Sequence, residues 1–131
     1  MLTLHAFLEG PTSSSLDALR EELVALFKSD GELAVSNASM PFGLGKYLVF
    51  RWPSWSFSTH LESGARVQED AAIVQSTIAG VFPGCLPSTR VRVVFASDPG
   101  KSFTNHIIWV ADYLRTLPGA VVYDEAQKSL W

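Results

Sequence analysis

Cysteine is almost missing: Cys85 is the only one in 131 residues. No intramolecular disulfide can form, and nothing points to an oxidising compartment. Cys85 lies in the loop Phe-Pro-Gly-Cys-Leu-Pro with no basic residue after it until Arg90, so a reactive thiolate is not expected. Apolar runs long enough to span a bilayer are lacking too. The opening Met-Leu-Thr-Leu-His-Ala-Phe-Leu-Glu-Gly has no basic stretch and no long apolar run, so a signal peptide is not expected and the chain reads as cytoplasmic. Positive charge is in deficit, with 10 Lys and Arg against 13 Asp and Glu and a net charge of −3. That balance excludes the electrostatic footprint needed to wrap nucleic acid or to coat an anionic membrane. Catalytic motifs are absent in the same way. There is no Gly-x-Ser-x-Gly elbow. Gly43-Leu44-Gly45 is followed by neither a third glycine nor a Lys-Ser/Thr pair, so it is no phosphate cradle. The reading leans away from an enzyme and expects no catalytic residue, resident metal or cofactor.

Apolar and aromatic residues are plentiful. They make up 47% and 11% of the chain, enough for one globular domain over residues 1–131. The stretch from Tyr47 to Glu62 reads as two strands folded back over Pro53 and Ser54. Trp55, Phe57, Thr59 and Leu61 alternate with Ser56, Ser58, His60 and Glu62, the period of a half-buried strand. Leu2 to Leu8 is a first strand, with His5 and Phe7 opposite its apolar row. Leu16, Leu19, Leu23 and Leu26 fall at helical spacing behind cap candidates in Thr12–Ser15, and Asp30-Gly31 stops the run. Glu32 to Asn37 is a short strand. Val67, Ala71, Val74 and Ile78 mark a second helix, Arg90 to Ala96 a strand, Phe103 to Leu117 a third helix, and Ala120 to Tyr123 a last strand. The order predicts an α+β fold: a two-layer sandwich whose mixed, mostly antiparallel sheet of five to six strands carries three helices mainly on one face. It contains the order of a ferredoxin-like core, with a C-terminal helix–strand extension and the second sheet face partly free.

Binding residues are sought among the aromatics, because Trp and Tyr bury much area with few rotamers. Trp52 and Trp55 flank the turn, and simple register is expected to leave at least one of them outside. Arg51 stands beside them as an accompanying charge. Met40, Phe42 and Leu44 form an apolar lip in a loop with two glycines. His60 faces the polar side of its strand and His5 sits opposite the apolar row of the first, so the two share the open sheet face if those strands are neighbours. The interface candidates are Trp52, Trp55, Arg51, Phe42 and His60. His106 is expected as a solvent-facing or capping residue.

The runs Arg51-Trp-Pro-Ser-Trp-Ser-Phe, Val67-Gln-Glu-Asp and Pro118-Gly-Ala-Val-Val-Tyr-Asp-Glu resemble small single-domain bacterial α+β proteins of uncharacterised or toxin-immunity type. The resemblance implies a non-enzymatic cytoplasmic protein that blocks a toxin by docking on it. Residues 1–45 hold six carboxylates against Arg20 and Lys28, which suits a basic toxin as partner. Homodimerisation through the free sheet face or an edge strand is a further option. The alternative reading is a small-molecule or metal-binding domain, enzymatic or not, that uses the open face around His5, His60 and Glu62.

Overall fold

Alternation of apolar and polar side chains builds the sheet, and the computed structural model describes residues 2–9, 15–43 and 45–131. In chain order the elements are β1 (Leu2–Leu8), α1 (Leu16–Leu26), β2 (Ala34–Ser39), β3 (Lys46–Trp52), β4 (Trp55–Ser63), α2 (Ala65–Thr77), β5 (Thr89–Phe95), α3 (Thr104–Arg115), β6 (Val121–Asp124) and β7 (Ser129–Leu130). They form an α+β structure with one seven-stranded sheet of order β2-β3-β4-β5-β1-β6-β7, in which every neighbouring pair is antiparallel. The sheet thus has more strands than the five to six expected. The extra one is β7, a two-residue strand closing the turn after β6. No described helix is long and apolar enough to cross a membrane.

Each strand's period sends one row of side chains to α1 and α3. Leu4, Ala6, Leu48, Phe50, Phe57, Val91, Val93 and Phe95 pack there against Leu19, Leu23, Val110, Ala111 and Leu114. Burying such side chains stabilises by about 1.5–3 kcal/mol each, so this layer dominates the fold. Ser15 caps α1, its Oγ accepting from the Ala18 amide at 3.1 Å. The other cap candidates, Thr12 to Ser14, lie outside the described residues. The buried stripe of α1 closes one residue later than expected: Phe27 is buried in place of Leu26, which is exposed.

β1 is buried on both sides, and this places α2. Phe7 and Tyr123 point away from α1 and α3, and Val67, Ala71, Val74 and Phe82 cover them as a second, smaller core. Two helices therefore lie on one face and one on the other. α2 is no crossover: it joins β4 and β5, which are antiparallel neighbours. The crossovers are α1, from β1 to the edge strand β2, and α3, from β5 over β1 to β6. The unit α3–β6, expected as an extension, lies within the sheet beside β1.

Candidate functional site

The hairpin aromatics divide between core and surface, and the turn decides how. Pro53 and Ser54 form a two-residue connection that sets Trp52 directly opposite Trp55. Residues directly opposed in an antiparallel pair share a face. The expectation that one of them must lie outside is therefore wrong. Both point to the helical layer and are 4% exposed. Each indole nitrogen is satisfied: Trp52 Nε1 donates to Asp30 Oδ2 at 2.7 Å, and Trp55 Nε1 to the Ala96 carbonyl at 3.0 Å. Trp55 stacks on Phe103 at 4.7 Å between ring centroids. His106 belongs to the same cluster, stacked on Phe27 at 5.3 Å with Nε2 3.4 Å from Asp30 Oδ2, so it is a packed ring and not a solvent-facing one. Asp30, read from the sequence only as a helix stop, gathers this corner. The Trp52 indole N–H and then the Glu32 amide hold its carboxyl below the usual range.

Phe42 is the opposite case. It sits in a short 3-10 turn, Pro41–Gly43, at the tip of the β2–β3 hairpin, which is closed by the Met40 amide donating to the Gly45 carbonyl at 2.7 Å. Its ring is 98% exposed, and its backbone is left-handed at φ +61°. That conformation is an outlier for a bulky residue and costs on the order of 1 kcal/mol or more. Leu44, a further member of the expected lip, lies outside the described residues.

On the α2 side of the sheet one row of side chains runs Tyr47, His60, Arg92, His5, Tyr123. His5 and His60 do share this face, but β5 lies between their strands. Two strand spacings put their backbones about 9.5 Å apart, with Arg92 at the position between them on β5. A metal would need both imidazole nitrogens within about 2 Å of it, and no set of three ligating side chains converges among the described residues. His60 stacks on Tyr47 at 4.5 Å, with Nε2 3.1 Å from Ser58 Oγ. Burial, and after it the Arg92 charge, lowers its pKa. His5 Nε2 lies 3.2 Å from Glu125 Oε1, and burial followed by the Arg90 charge lowers its pKa as well. Arg51 is exposed on the same side opposite Ser56. It is four residues along the hairpin from the His60 row, about 13 Å. The five sequence candidates thus fall in three places: the core for Trp52 and Trp55, the open face for Arg51 and His60, and the hairpin tip for Phe42.

Sequence reasoning missed the ion network beneath α2. Arg90, 4% exposed, donates from Nε to Glu62 Oε1 at 2.8 Å and from Nη1 to Asp70 Oδ2 at 2.5 Å. Arg92 makes a fork on the same Glu62, at 3.0 and 3.1 Å. Burial pushes the Glu62 carboxyl up, but the hydrogen bonds from the two arginines outweigh it and leave the pKa lowered. The available signal was Arg-x-Arg within an otherwise apolar strand. Both Glu62 oxygens are occupied, so the carboxylate is a structural acceptor and not a free base.

Clefts flank these groups as well. A cleft of about 660 Å³ lies between β1 and the 81–88 loop, with Phe7, Phe82, Pro87 and Val121 as apolar wall and Gln68 at its edge. Cys85 is exposed on its rim. On the helical layer, Leu26, Trp109, Asp112, Tyr113 and Thr116 line a shallower cleft of about 430 Å³. The Tyr113 hydroxyl donates to Glu22, and burial, with that carboxylate beside it, raises its pKa. No family model, curated protein or solved structure matches the chain.

Proposed function

We propose that the chain is a non-enzymatic, cytoplasmic protein-binding module that docks on its partner through the β2–β3 hairpin tip. An immunity-type inhibitor of a basic toxin is the specific form. The observation carrying this reading is Phe42, a whole aromatic ring in water on a left-handed backbone. Such strain persists only where its surroundings impose it, and it clusters at clamps and switches. The turn presents the whole ring to solvent, where a partner's pocket can take it as an aromatic anchor. Tyr47 and His60 lie on the open face toward the same end of β3 and offer a polar rim. The sign of the partner follows from the surplus of carboxylates in residues 1–45, the part of the chain that contains the tip. Trp52 and Trp55 have no part in it.

The test places a photoreactive phenylalanine analogue at position 42 in the native cell, and in a parallel chain at Ile73, which is exposed on α2. A covalent adduct with one basic protein from position 42 and none from position 73 is expected. No adduct from position 42, or the same products from both, overturns the reading. Once that protein is in hand, Phe42→Ala should weaken the complex by about 2 kcal/mol, the scale of a binding hot spot.

A further inference from the structure

Trp109 is 47% exposed on α3 and Leu26 is 38% exposed at the end of α1, and both line the cleft of about 430 Å³ that Asp112, Tyr113 and Thr116 complete. Helical spacing builds its α3 wall. Asp112, Tyr113 and Thr116 follow Trp109 by three, four and seven residues, and helix neighbours at three and four residues have Cβ atoms about 5–6 Å apart. An indole and a carboxylate are thereby set side by side. The inner side of Trp109 is fixed by packing, its ring 5.4 Å from His106 and 6.1 Å from Phe27, centroid to centroid. On the α1 side the Glu22 carboxylate accepts from the Tyr113 hydroxyl. That hydroxyl is committed as a donor, and its oxygen retains acceptor capacity. Among the described residues no Lys or Arg lines the cleft. Arg115 approaches Asp112 only to 3.9 Å, in a pair whose side chains are 59% and 61% exposed, and such a pair yields readily to a competitor.

We propose that this cleft takes the guanidinium of an arginine side chain carried by a protein partner. The chemistry of its walls selects that group. An exposed indole attracts a cation through its ring quadrupole, more strongly than Tyr or Phe does. A planar guanidinium lies on the ring and still sends N–H groups sideways to the Asp112 carboxylate and the Tyr113 oxygen, which a compact ammonium cannot do. Leu26 offers apolar surface to the aliphatic stem. An anion would meet Asp112 and Glu22. An apolar side chain would cover the indole but strip water from those carboxylates without replacing it. A free amino acid would bring its own carboxylate beside them, with no cation in the lining to receive it, so the arginine belongs to a chain. Leu26 ends α1 just before the chain enters β2, whereas Phe42 follows the far end of that six-residue strand, about 20 Å along it. The two surfaces are separate, and neither role depends on the other.

The probe is acetyl-arginine methylamide, titrated into the whole isotope-labelled chain and followed by NMR, with acetyl-citrulline methylamide as its neutral counterpart of the same shape. Saturable shifts of the Trp109 indole N–H and of the amides of residues 108–116 are expected, with a midpoint on the order of 10 mM. The citrulline compound should leave them in place, and acetyl-lysine methylamide should bind several-fold more weakly. Asp112→Asn, at an exposed position, should weaken arginine binding about 3-fold with an unchanged thermal midpoint. Trp109→Leu should remove the shifts of residues 112–116 altogether. Because Trp109 also packs on Phe27 and His106, that variant counts only with a native spectrum, and Asp112→Asn decides the matter if it unfolds. Shifts that do not saturate or that spread over the other carboxylates, citrulline acting like arginine, lysine binding as tightly as arginine, or an affinity untouched by Asp112→Asn overturns the proposal.

Discussion

Replacing Trp52 by alanine separates a core role from a docking role at the position the sequence marked as an interface candidate. The indole is 4% exposed and sits 5.2 Å from Phe27, 5.4 Å from Trp55 and 5.1 Å from His106, centroid to centroid. Removing a buried Trp costs about 3–5 kcal/mol, the transfer of its surface plus the cavity left behind. For a domain of this length each kcal/mol lowers the thermal midpoint by about 4 °C, so Trp52→Ala should lose about 12–20 °C. Trp52→Phe keeps much of the ring and removes the N–H on Asp30. Asp30 is partly open to solvent, so water can take over and the loss should be far smaller. The Asp30 pKa should rise toward the ordinary value, because its largest depressing contact is gone. A folded pKa below the unfolded one adds stability that is present above the ordinary carboxyl range and is lost as pH falls through the folded value. Trp52→Phe should accordingly flatten the acid limb of the stability curve. The assays are thermal melts followed by circular dichroism and carboxyl titration by NMR. A midpoint loss of less than about 5 °C for Trp52→Ala would refute the core assignment, since burial of this kind does not yield less than 1 kcal/mol.

The buried ion network should respond asymmetrically. Arg90→Met leaves Glu62 and Asp70 half-buried without their shared cation, and a loss of about 2–3 kcal/mol in urea unfolding is expected, toward the low end for a broken buried pair because both carboxylates keep some solvent. His5 and His60 should titrate below their ordinary value in NMR, and Arg92→Gln should raise both. Because their folded pKa values are lowered, the unfolded chain binds more protons between the folded values and about 6.5, so stability should fall as pH drops through that window.

The alternation in β4 was legible because a period of two is a property of adjacent residues. Trp55, Phe57 and Thr59 are inside, as their spacing says, and the same holds for Leu4, Ala6 and Leu8. The misreading of the tryptophan pair came from the turn. Alternation along one arm says nothing about the other arm until the loop length is used, and a two-residue loop puts positions 52 and 55 on one face. Phe42 was legible as an apolar residue in a glycine-flanked loop, but its full exposure and left-handed backbone were not. The Arg90–Glu62–Asp70 network was invisible, because Arg90 lies 28 and 20 residues from its two carboxylates and meets them only when β4, β5 and α2 come together.

Local spacing determined that this chain makes strands and helices with an apolar row each and that a sheet must receive the helices, and the single cysteine determined that no internal disulfide can hold it. Strand order, the placement of α2 opposite the other helices, the sealing of both indoles and the charge pairs around Arg90 were decided by tertiary packing. The reason is that periodicity records that a face is buried, whereas what it is buried against depends on contacts between segments far apart in the chain, settled only when the whole core closes.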